Sequence, residues 1–197
     1  MNVFRFRVEL RNIAPPIWRE IEVPGSYTFW DLHVAVQDAM GWLDYHLHVF
    51  LSIDNQNDDG RWEIGIPADD ELIGGRETIA SWEVPVTKLF HKVGDRMVYV
   101  YDFGDDWIHD VVLTDVISCD SERSVVCTGG KRACPPEDCG GPLGYQTMLE
   151  ALADPGHDQH DDMKRWIGDS FDSENFDREE VKFDDPKERW NRAFRES

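Results

Sequence analysis

The segment from Arg96 to Ile117 constrains the fold more than any other part of the chain. Apolar residues alternate or cluster on both sides of a short polar centre, which is the pattern of two β-strands. Gly104, Asp105 and Asp106 separate the two runs. These residue types favour tight turns, because glycine tolerates positive φ and aspartate can hydrogen-bond the nearby backbone. The sequence therefore predicts an antiparallel hairpin that turns between Phe103 and Trp107.

The same hairpin is dense in polar and aromatic side chains. It reads YDFGDDWIHD from Tyr101 to Asp110, with four aspartates and one histidine. Because strand side chains alternate with period two, an imidazole and an indole would share one face of the return strand, where carboxylates can converge with the imidazole. The structural alternative is that the aspartates cap turn amides and the aromatics fill the core. The candidate site residues here are Tyr101, Asp102, Asp105, Asp106, Trp107 and His109.

The remaining hydrophobic pattern predicts an α+β fold, in which a mostly antiparallel sheet of hairpins packs on one main helix. Alternating apolar residues over 3–10 and 17–23 indicate a first pair of strands. Thr28 followed by Asp31 resembles a capping box, and i, i+3, i+4 spacing then predicts a helix from Phe29 to about Met40. An acidic, glycine-rich stretch from Pro67 to Trp82 indicates an exposed loop.

The C-terminal part is predicted to be helical. Amphipathic spacing indicates helices over Tyr145–Ala153 and around Met163–Ile167, and Trp190 and Phe194 would anchor a polar tail. Chain length favours one domain over two. We therefore expect a single α+β domain over residues 1–197, with a helical part from about 144 and a flexible tail after 184.

Two further histidines stand in the predicted strand from His46 to Ile53. The H-x-H spacing places His46 and His48 on one side of that strand, which can present two imidazoles to a metal, although aromatic packing across strands explains the spacing equally well. His33, on the main helix, is predicted to be a packed residue at the margin of the core.

A loop rich in proline and glycine contains the remaining candidates. All four cysteines, including Cys119, fall between residues 119 and 139, which in a cytosolic protein favours thiols or metal ligands over disulfides. Prolines and glycines at this density exclude a helix or a central strand, so the loop must be folded over or held by a metal. No CxxC occurs, yet zinc could be bound by Cys127, Cys134, Cys139 and His109.

Composition limits the classes of partner. The net charge is -20, from 40 acidic and 20 basic residues. Affinity for a nucleic-acid backbone comes from lysine and arginine, so DNA is not expected as a partner across a broad surface. The candidates for a local basic patch are Arg5, Arg7, Arg11 and Arg19. No run reaches the roughly 18 apolar residues of a membrane helix, and the N-terminus lacks a secretory segment, so we expect a cytoplasmic protein with no membrane partner.

Five motifs together resemble the plasmid pRiA4b ORF-3-like family: PPIWREIEVP, AMGW, HLHVF, YDFGDDWIH and C-x6-CPPEDCGGPLGY. The resemblance extends from the first strand to about Phe183. It implies an α+β protein of plasmids and transposable elements, from a family often described as resolvase-like. This chain departs from the family pattern at Val125-Val126, where a proline is common, and in its extra Cys119.

The resolvase description does not fit the residues well. Strand cleavage by a serine or tyrosine needs arginines that neutralise the developing charge. No serine here stands in an arginine-rich setting, and Tyr101 is flanked by aspartate. We expect contacts with proteins rather than cleavage of DNA.

Three hypotheses about function follow. The first is a binding or regulatory protein whose acidic pocket or loops meet a protein or small-molecule partner. The alternative is a metal-dependent hydrolase that uses His46, His48, Asp105 and His109, with Glu137 or Asp138 as the base. The third is a structural zinc site in the cysteine loop. All three expect the HLH segment, the hairpin turn and the CPPEDC loop to meet in space.

Overall fold

Eight strands form one sheet in the computed structural model, which describes residues 1–53, 62–67, 78–121, 123–168 and 170–195. The strands are β1 (Asn2–Leu10), β2 (Trp18–Pro24), β3 (His48–Ser52), β4 (Glu63–Gly65), β5 (Ile79–Ala80), β6 (Arg96–Tyr101), β7 (Trp107–Ser118) and β8 (Val126–Lys131). Their order across the sheet is β5-β4-β3-β6-β7-β1-β2-β8. Neighbours are antiparallel except for β4 and β5, which are parallel.

The described helices are α1 (Phe29–Met40), α2 (Gly141–Ala153), α3 (His160–Ile167) and α4 (Pro186–Arg195). Single 3₁₀ turns occur at Val86–Lys88 and Arg178–Glu180. Within the described ranges, no helix is long and apolar enough to cross a bilayer. The predicted α+β class, with hairpins packed on one main helix, is confirmed.

β1 lies inside the sheet because both of its edges are paired, one with β2 and the other with β7. The apolar residues at even positions from Phe4 to Leu10 are buried, and the polar residues between them are partly exposed. The ring of Phe6 meets that of Phe90 edge-on, with centroids 4.7 Å apart. This alternation separates a core face, which α1 covers, from a polar face that carries the N-terminal arginines.

The predicted capping box starts α1. The Thr28 hydroxyl accepts a hydrogen bond from the Asp31 amide at 3.3 Å, and the Asp31 carboxylate accepts one from the Thr28 amide at 2.8 Å. Gly41 ends the helix with φ 88°, as a left-handed C-cap. Phe29 then packs edge-on against Phe50 of β3, with centroids 5.1 Å apart. The caps therefore fix where the apolar face of α1 meets the sheet.

The predicted hairpin is confirmed, with a loop at 102–106. Tyr101 pairs with Trp107 and Tyr99 with His109. The loop closes through a hydrogen bond from the Asp106 amide to the Asp102 carbonyl at 2.7 Å. Phe103 belongs to the turn rather than to the outgoing strand.

Two stretches that were predicted to be irregular contain strands. Val126–Lys131 forms β8, which pairs with β2 at the edge of the sheet, where glycines are tolerated because only one side of the strand must pair. The predicted loop from Pro67 to Trp82 includes β5, which adds to β4 in parallel. Residues 68–77 of that loop lie outside the described residues.

The tail after residue 184, which was expected to be flexible, forms α4 and packs on the domain through its aromatic residues. The Trp30 indole donates a hydrogen bond to the Pro186 carbonyl at 2.9 Å. The rings of Phe194 and Trp82 lie 5.3 Å apart. Arg189 also pairs with Asp38 of α1. Aromatic contacts and an ion pair together hold this tail against α1.

The capping box gives a test of the fold. Replacing Thr28 with Ala should lower the free energy of unfolding by about 1 kcal/mol, because the Asp31 amide loses its acceptor. Urea denaturation measures the change. Thr147→Ala, in the exposed middle of α2, is the matched control and should shift stability by less than about 0.5 kcal/mol. Equal effects of the two changes would contradict a role for the cap.

Candidate functional site

Three separate segments meet at the turn of the hairpin. Tyr101 donates a hydrogen bond from its hydroxyl to Glu137 at 3.1 Å. His46 Nε2 lies 3.0 Å from Asp138 Oδ1. The Gly140 amide donates to Asp105 at 3.0 Å. The HLH segment, the hairpin turn and the CPPEDC loop therefore touch one another. We call the set His46, Tyr101, Asp102, Asp105, Asp106, Glu137 and Asp138 the acidic junction.

An aspartate in the left-handed backbone region occurs in the hairpin turn, in the CPPEDC loop and in the stretch just before His46. The φ angles are 61° at Asp44, 55° at Asp102 and 57° at Asp138. Aspartate adopts this conformation more readily than most residues because its short side chain can bond the local backbone. Asp102 does so, since its Oδ1 accepts from the Gly104 amide at 2.9 Å. These residues therefore shape the loops as well as supplying carboxylates.

A triad of His46, Asp102 and Asp138 forms the centre of the junction. His46 Nε2 lies 3.0 Å from Asp138 Oδ1 and 3.6 Å from Asp102 Oδ2. Asp102 is only 7% exposed, whereas Asp138 faces solvent. In the described part of the chain, this triad is the one group of three potential metal ligands whose atoms all lie within 4.8 Å of one another.

The Glu137 carboxylate links the CPPEDC loop to the segment that follows α1 by hydrogen bonds. Its carboxylate accepts a hydrogen bond from the Leu43 amide at 2.7 Å as well as from Tyr101. The Tyr101 hydroxyl in turn accepts from the Tyr45 amide at 3.1 Å. Burial raises the pKa of Glu137, and burial together with the neighbouring Glu137 carboxylate raises the pKa of Tyr101. The neutral Tyr101 phenol lies between the Glu137 carboxylate and the Tyr45 amide. It thus connects the hairpin, the CPPEDC loop and the segment that follows α1.

Buried aromatic side chains of the core pack against the acidic junction. The Trp42 indole donates to the Pro135 carbonyl at 2.9 Å and stacks on Tyr101, with ring centroids 5.0 Å apart. Trp107 is fully buried against the same indole, at 5.8 Å. Asp106 is exposed in the turn. Trp107 is therefore a core residue beneath the site, whereas Asp106 is available to solvent.

His48 and His109 do not join His46. His48 lies on the core face of β3, where its ring stacks on His33 of α1 with centroids 3.5 Å apart. His109 is fully buried, with Nδ1 3.3 Å from the Tyr99 carbonyl and its ring against Trp42. His46 precedes β3 and lies beyond the cover of α1. His33 is a packed residue, as predicted.

The cysteines are free thiols, and Cys127, Cys134 and Cys139 lie partly buried against the core. Burial raises the pKa of Cys134, and raises that of Cys139 to about 12. Cys127 belongs to β8, and its pKa is raised by burial as well. Among the described residues, the predicted zinc ligands Cys127, Cys134, Cys139 and His109 do not converge as a group. Hydrogen bonds to Trp42, Leu43, Tyr101 and Asp105 hold the folded-over loop instead.

The segment between α1 and β3 was missed as a functional element. Leu43 is 61% exposed and Tyr45 71%, although both belong to classes that usually bury their side chains. The signal was available in the sequence, since apolar residues continue past the Gly41 cap without a helical period. We call the three exposed apolar side chains of this segment the apolar ledge; they are Leu43, Tyr45 and Leu47.

The paired glycines after Cys139 give a test of the junction. A Cβ on Gly141 would lie 2.3 Å from the Asp105 carbonyl oxygen, whereas a Cβ on Gly140 would meet nothing closer than 3.5 Å. Both residues have positive φ, so alanine costs each about 1–2 kcal/mol in backbone conformation. We expect Gly141→Ala to destabilise the protein by a further 1–3 kcal/mol or so, as overpacking does. Urea denaturation of both variants compares them, and equal losses would contradict the close approach.

His109 should make stability depend on pH. Burial lowers its pKa from 6.5 to about 4, so between these values the unfolded chain binds a proton that the folded chain does not. Stability contributed by neutral His109 is therefore complete above pH 6.5 and falls by about 3 kcal/mol as the pH drops to 4. Between pH 6.5 and pH 4, the free energy of unfolding of His109→Phe should therefore rise by that amount relative to that of the parent protein. His91→Gln, at an exposed site, should show no such rise. Urea denaturation at pH 7, 5.5 and 4 measures it, and a constant difference would refute the assignment.

Comparison with known proteins places the chain among relatives of similar sequence and fold. Residues 2–180 match the family described as plasmid pRiA4b ORF-3-like protein. The uncharacterized protein y4hQ of Sinorhizobium fredii (strain NBRC 101917 / NGR234) is 34% identical over an alignment of 198 residues that covers 98% of this chain and 97% of that protein. The crystal structure of MM3350 from Methanosarcina mazei Go1, a protein of unknown function, matches with a TM-score of 0.81 and 37% sequence identity, over 92% of this chain and 98% of that chain. The chain therefore belongs to the plasmid pRiA4b ORF-3-like family.

Proposed function

We propose that this protein binds a basic, partly apolar segment of a partner protein at the acidic junction. One observation carries the proposal: the segment with three exposed apolar side chains is hydrogen-bonded to a cluster of five carboxylates. The carboxylates are those of Asp102, Asp105, Asp106, Glu137 and Asp138, and the apolar side chains are those of the apolar ledge.

The apolar ledge is tied to the junction by backbone hydrogen bonds. The Leu43 amide donates to Glu137, the Tyr45 amide to Tyr101, and the Leu47 carbonyl accepts from the Asp102 amide at 3.0 Å. Three of the eight large apolar side chains exposed in the described residues belong to this ledge. Exposed apolar side chains gathered in one place mark interaction surfaces, and aromatic residues among them often dominate binding.

The charge of the junction favours a cationic partner. Elsewhere carboxylates pair with arginine, as Glu22 does with Arg5 and Asp110 with Arg11. In the described ranges, no arginine forms an ion pair with a junction carboxylate, and His46 is the junction's single basic side chain. Unneutralised negative charge attracts a basic segment and steers its approach.

The arginines near the N-terminus do not offer a comparable site for nucleic acid. Arg5, Arg7 and Arg11 each pair with a carboxylate on the polar face of the sheet. Arg19 is buried and donates to the carbonyl of Ala39 at 2.8 Å. Paired and buried guanidinium groups have no surplus charge for phosphates, which supports a protein partner over DNA.

No observation favours the metal-dependent hydrolase built on His46, His48, Asp105 and His109. That hypothesis needs the three imidazoles at one centre. Two of them pack in the core, and only His46 reaches the junction. The arrangement of the acidic residues and His46 therefore supports a binding function better than a hydrolytic one.

Selection from a displayed library of random peptides tests the proposal. The full chain should enrich peptides that combine lysine or arginine with aliphatic or aromatic residues, and salt should weaken their binding. Tyr45→Ser should weaken the selected peptides by about tenfold or more, as expected of an aromatic anchor. Val93→Ser, at another exposed apolar residue, is the matched control and should leave affinity unchanged.

Two results would overturn the proposal. One is the absence of any enriched peptide. The other is a set of selected peptides that lacks basic residues, or that binds the Tyr45 variant as tightly as the parent protein. Tyr45 is mostly exposed, so its replacement should change stability by less than about 0.5 kcal/mol and leave the fold intact for the comparison.

A further inference from the structure

We propose that His46, Asp102 and Asp138 bind a divalent first-row transition metal ion, such as Zn²⁺ or Mn²⁺. The three residues come from three segments: the stretch before β3, the hairpin turn and the CPPEDC loop. The site goes beyond the proposed partner binding, because it needs only these three side chains and no partner.

The distances within the triad suit a shared metal ion. Zinc binds histidine nitrogen and carboxylate oxygen at about 2.0–2.2 Å, so two ligands on one ion lie roughly 3.0–3.5 Å apart. His46 Nε2 lies 3.0 Å from Asp138 Oδ1 and 3.6 Å from Asp102 Oδ2. All three ligand atoms lie within 4.8 Å of one another. A small rotation of the exposed Asp138 side chain is enough to close the coordination shell.

The turn of the hairpin holds Asp102 in place. The residue is 7% exposed, and its Oδ1 accepts from the Gly104 amide at 2.9 Å. Its Oδ2 faces His46 Nε2 at 3.6 Å, beyond a normal hydrogen bond. This oxygen therefore lies beside the imidazole without a hydrogen bond to it, so a cation between the two groups could bind both.

The donor set indicates which ions fit. One imidazole nitrogen with two carboxylate oxygens suits zinc, manganese, cobalt or nickel, whereas calcium and magnesium prefer oxygen alone. Thiolates would be needed to favour copper(I), and the triad contains none. Three protein ligands leave coordination positions for water, since Asp138 and His46 reach the surface.

Binding would join the three segments more firmly. An ion that binds only the folded chain stabilises it by mass action. At concentrations well above its dissociation constant it should raise Tm by about 5 °C or more. The two aspartates already hold left-handed backbone conformations, so asparagine can replace either without backbone strain.

The test measures metal binding by protein that has been treated with a chelator and carries no histidine tag. Isothermal titration with Zn²⁺ and with Mn²⁺ should show one ion per chain. His46→Ala and Asp138→Asn should each weaken binding at least tenfold. Asp106→Asn removes an exposed carboxylate from the same turn, but not from the triad, and should change affinity less than threefold.

Cobalt spectroscopy identifies the ligands independently of stability. Co²⁺ bound by nitrogen and oxygen shows only weak visible bands, whereas thiolate ligands add an intense charge-transfer band in the near ultraviolet. We expect the weak bands, with loss of the signal in Asp138→Asn. Absence of binding at millimolar metal would overturn the proposal. So would a thiolate band, or equal weakening by Asp106→Asn and Asp138→Asn, which would indicate a cysteine site or diffuse attraction of cations.

Discussion

The register of the β6–β7 hairpin is the constraint on which the rest of the structure depends. Pairing Tyr99 with His109 and Tyr101 with Trp107 places four ring side chains on the core face, under α1 and Trp42. A shift of one residue would expose these rings and turn Asp110 towards the core. The same register fixes the loop at 102–106, where the carboxylates emerge toward the CPPEDC loop.

The CPPEDC loop shows how a segment rich in proline and glycine is held without regular pairing. Its polar atoms find partners on other segments, as the Pro135 carbonyl does with Trp42 and Glu137 with Tyr101. Gly141 allows the start of α2 to approach the hairpin backbone. Hydrogen bonds and a close backbone contact thus hold the loop in its folded-over form.

The distribution of charge separates the two faces of the molecule. On the polar face of the sheet, arginines neutralise nearby acids, as Arg5 does for Glu22 and Asp115. At the acidic junction, carboxylates gather with one histidine beside exposed apolar side chains. An excess of one charge beside apolar surface suits recognition, by a basic segment or by a metal ion, better than it suits the stability of the fold.

Sequence by itself determined the α+β class, the hairpin, the capped α1, the family and the three segments of the junction, because periodicity, turn residues and motifs are local properties. Only the tertiary structure decided the roles of the histidines: α1 covers His48, β7 and Trp42 enclose His109, and His46 lies beyond both. Edge strands such as β8 were decided in the same way. Burial and edge pairing depend on residues far away in the chain, and no local pattern contains that information.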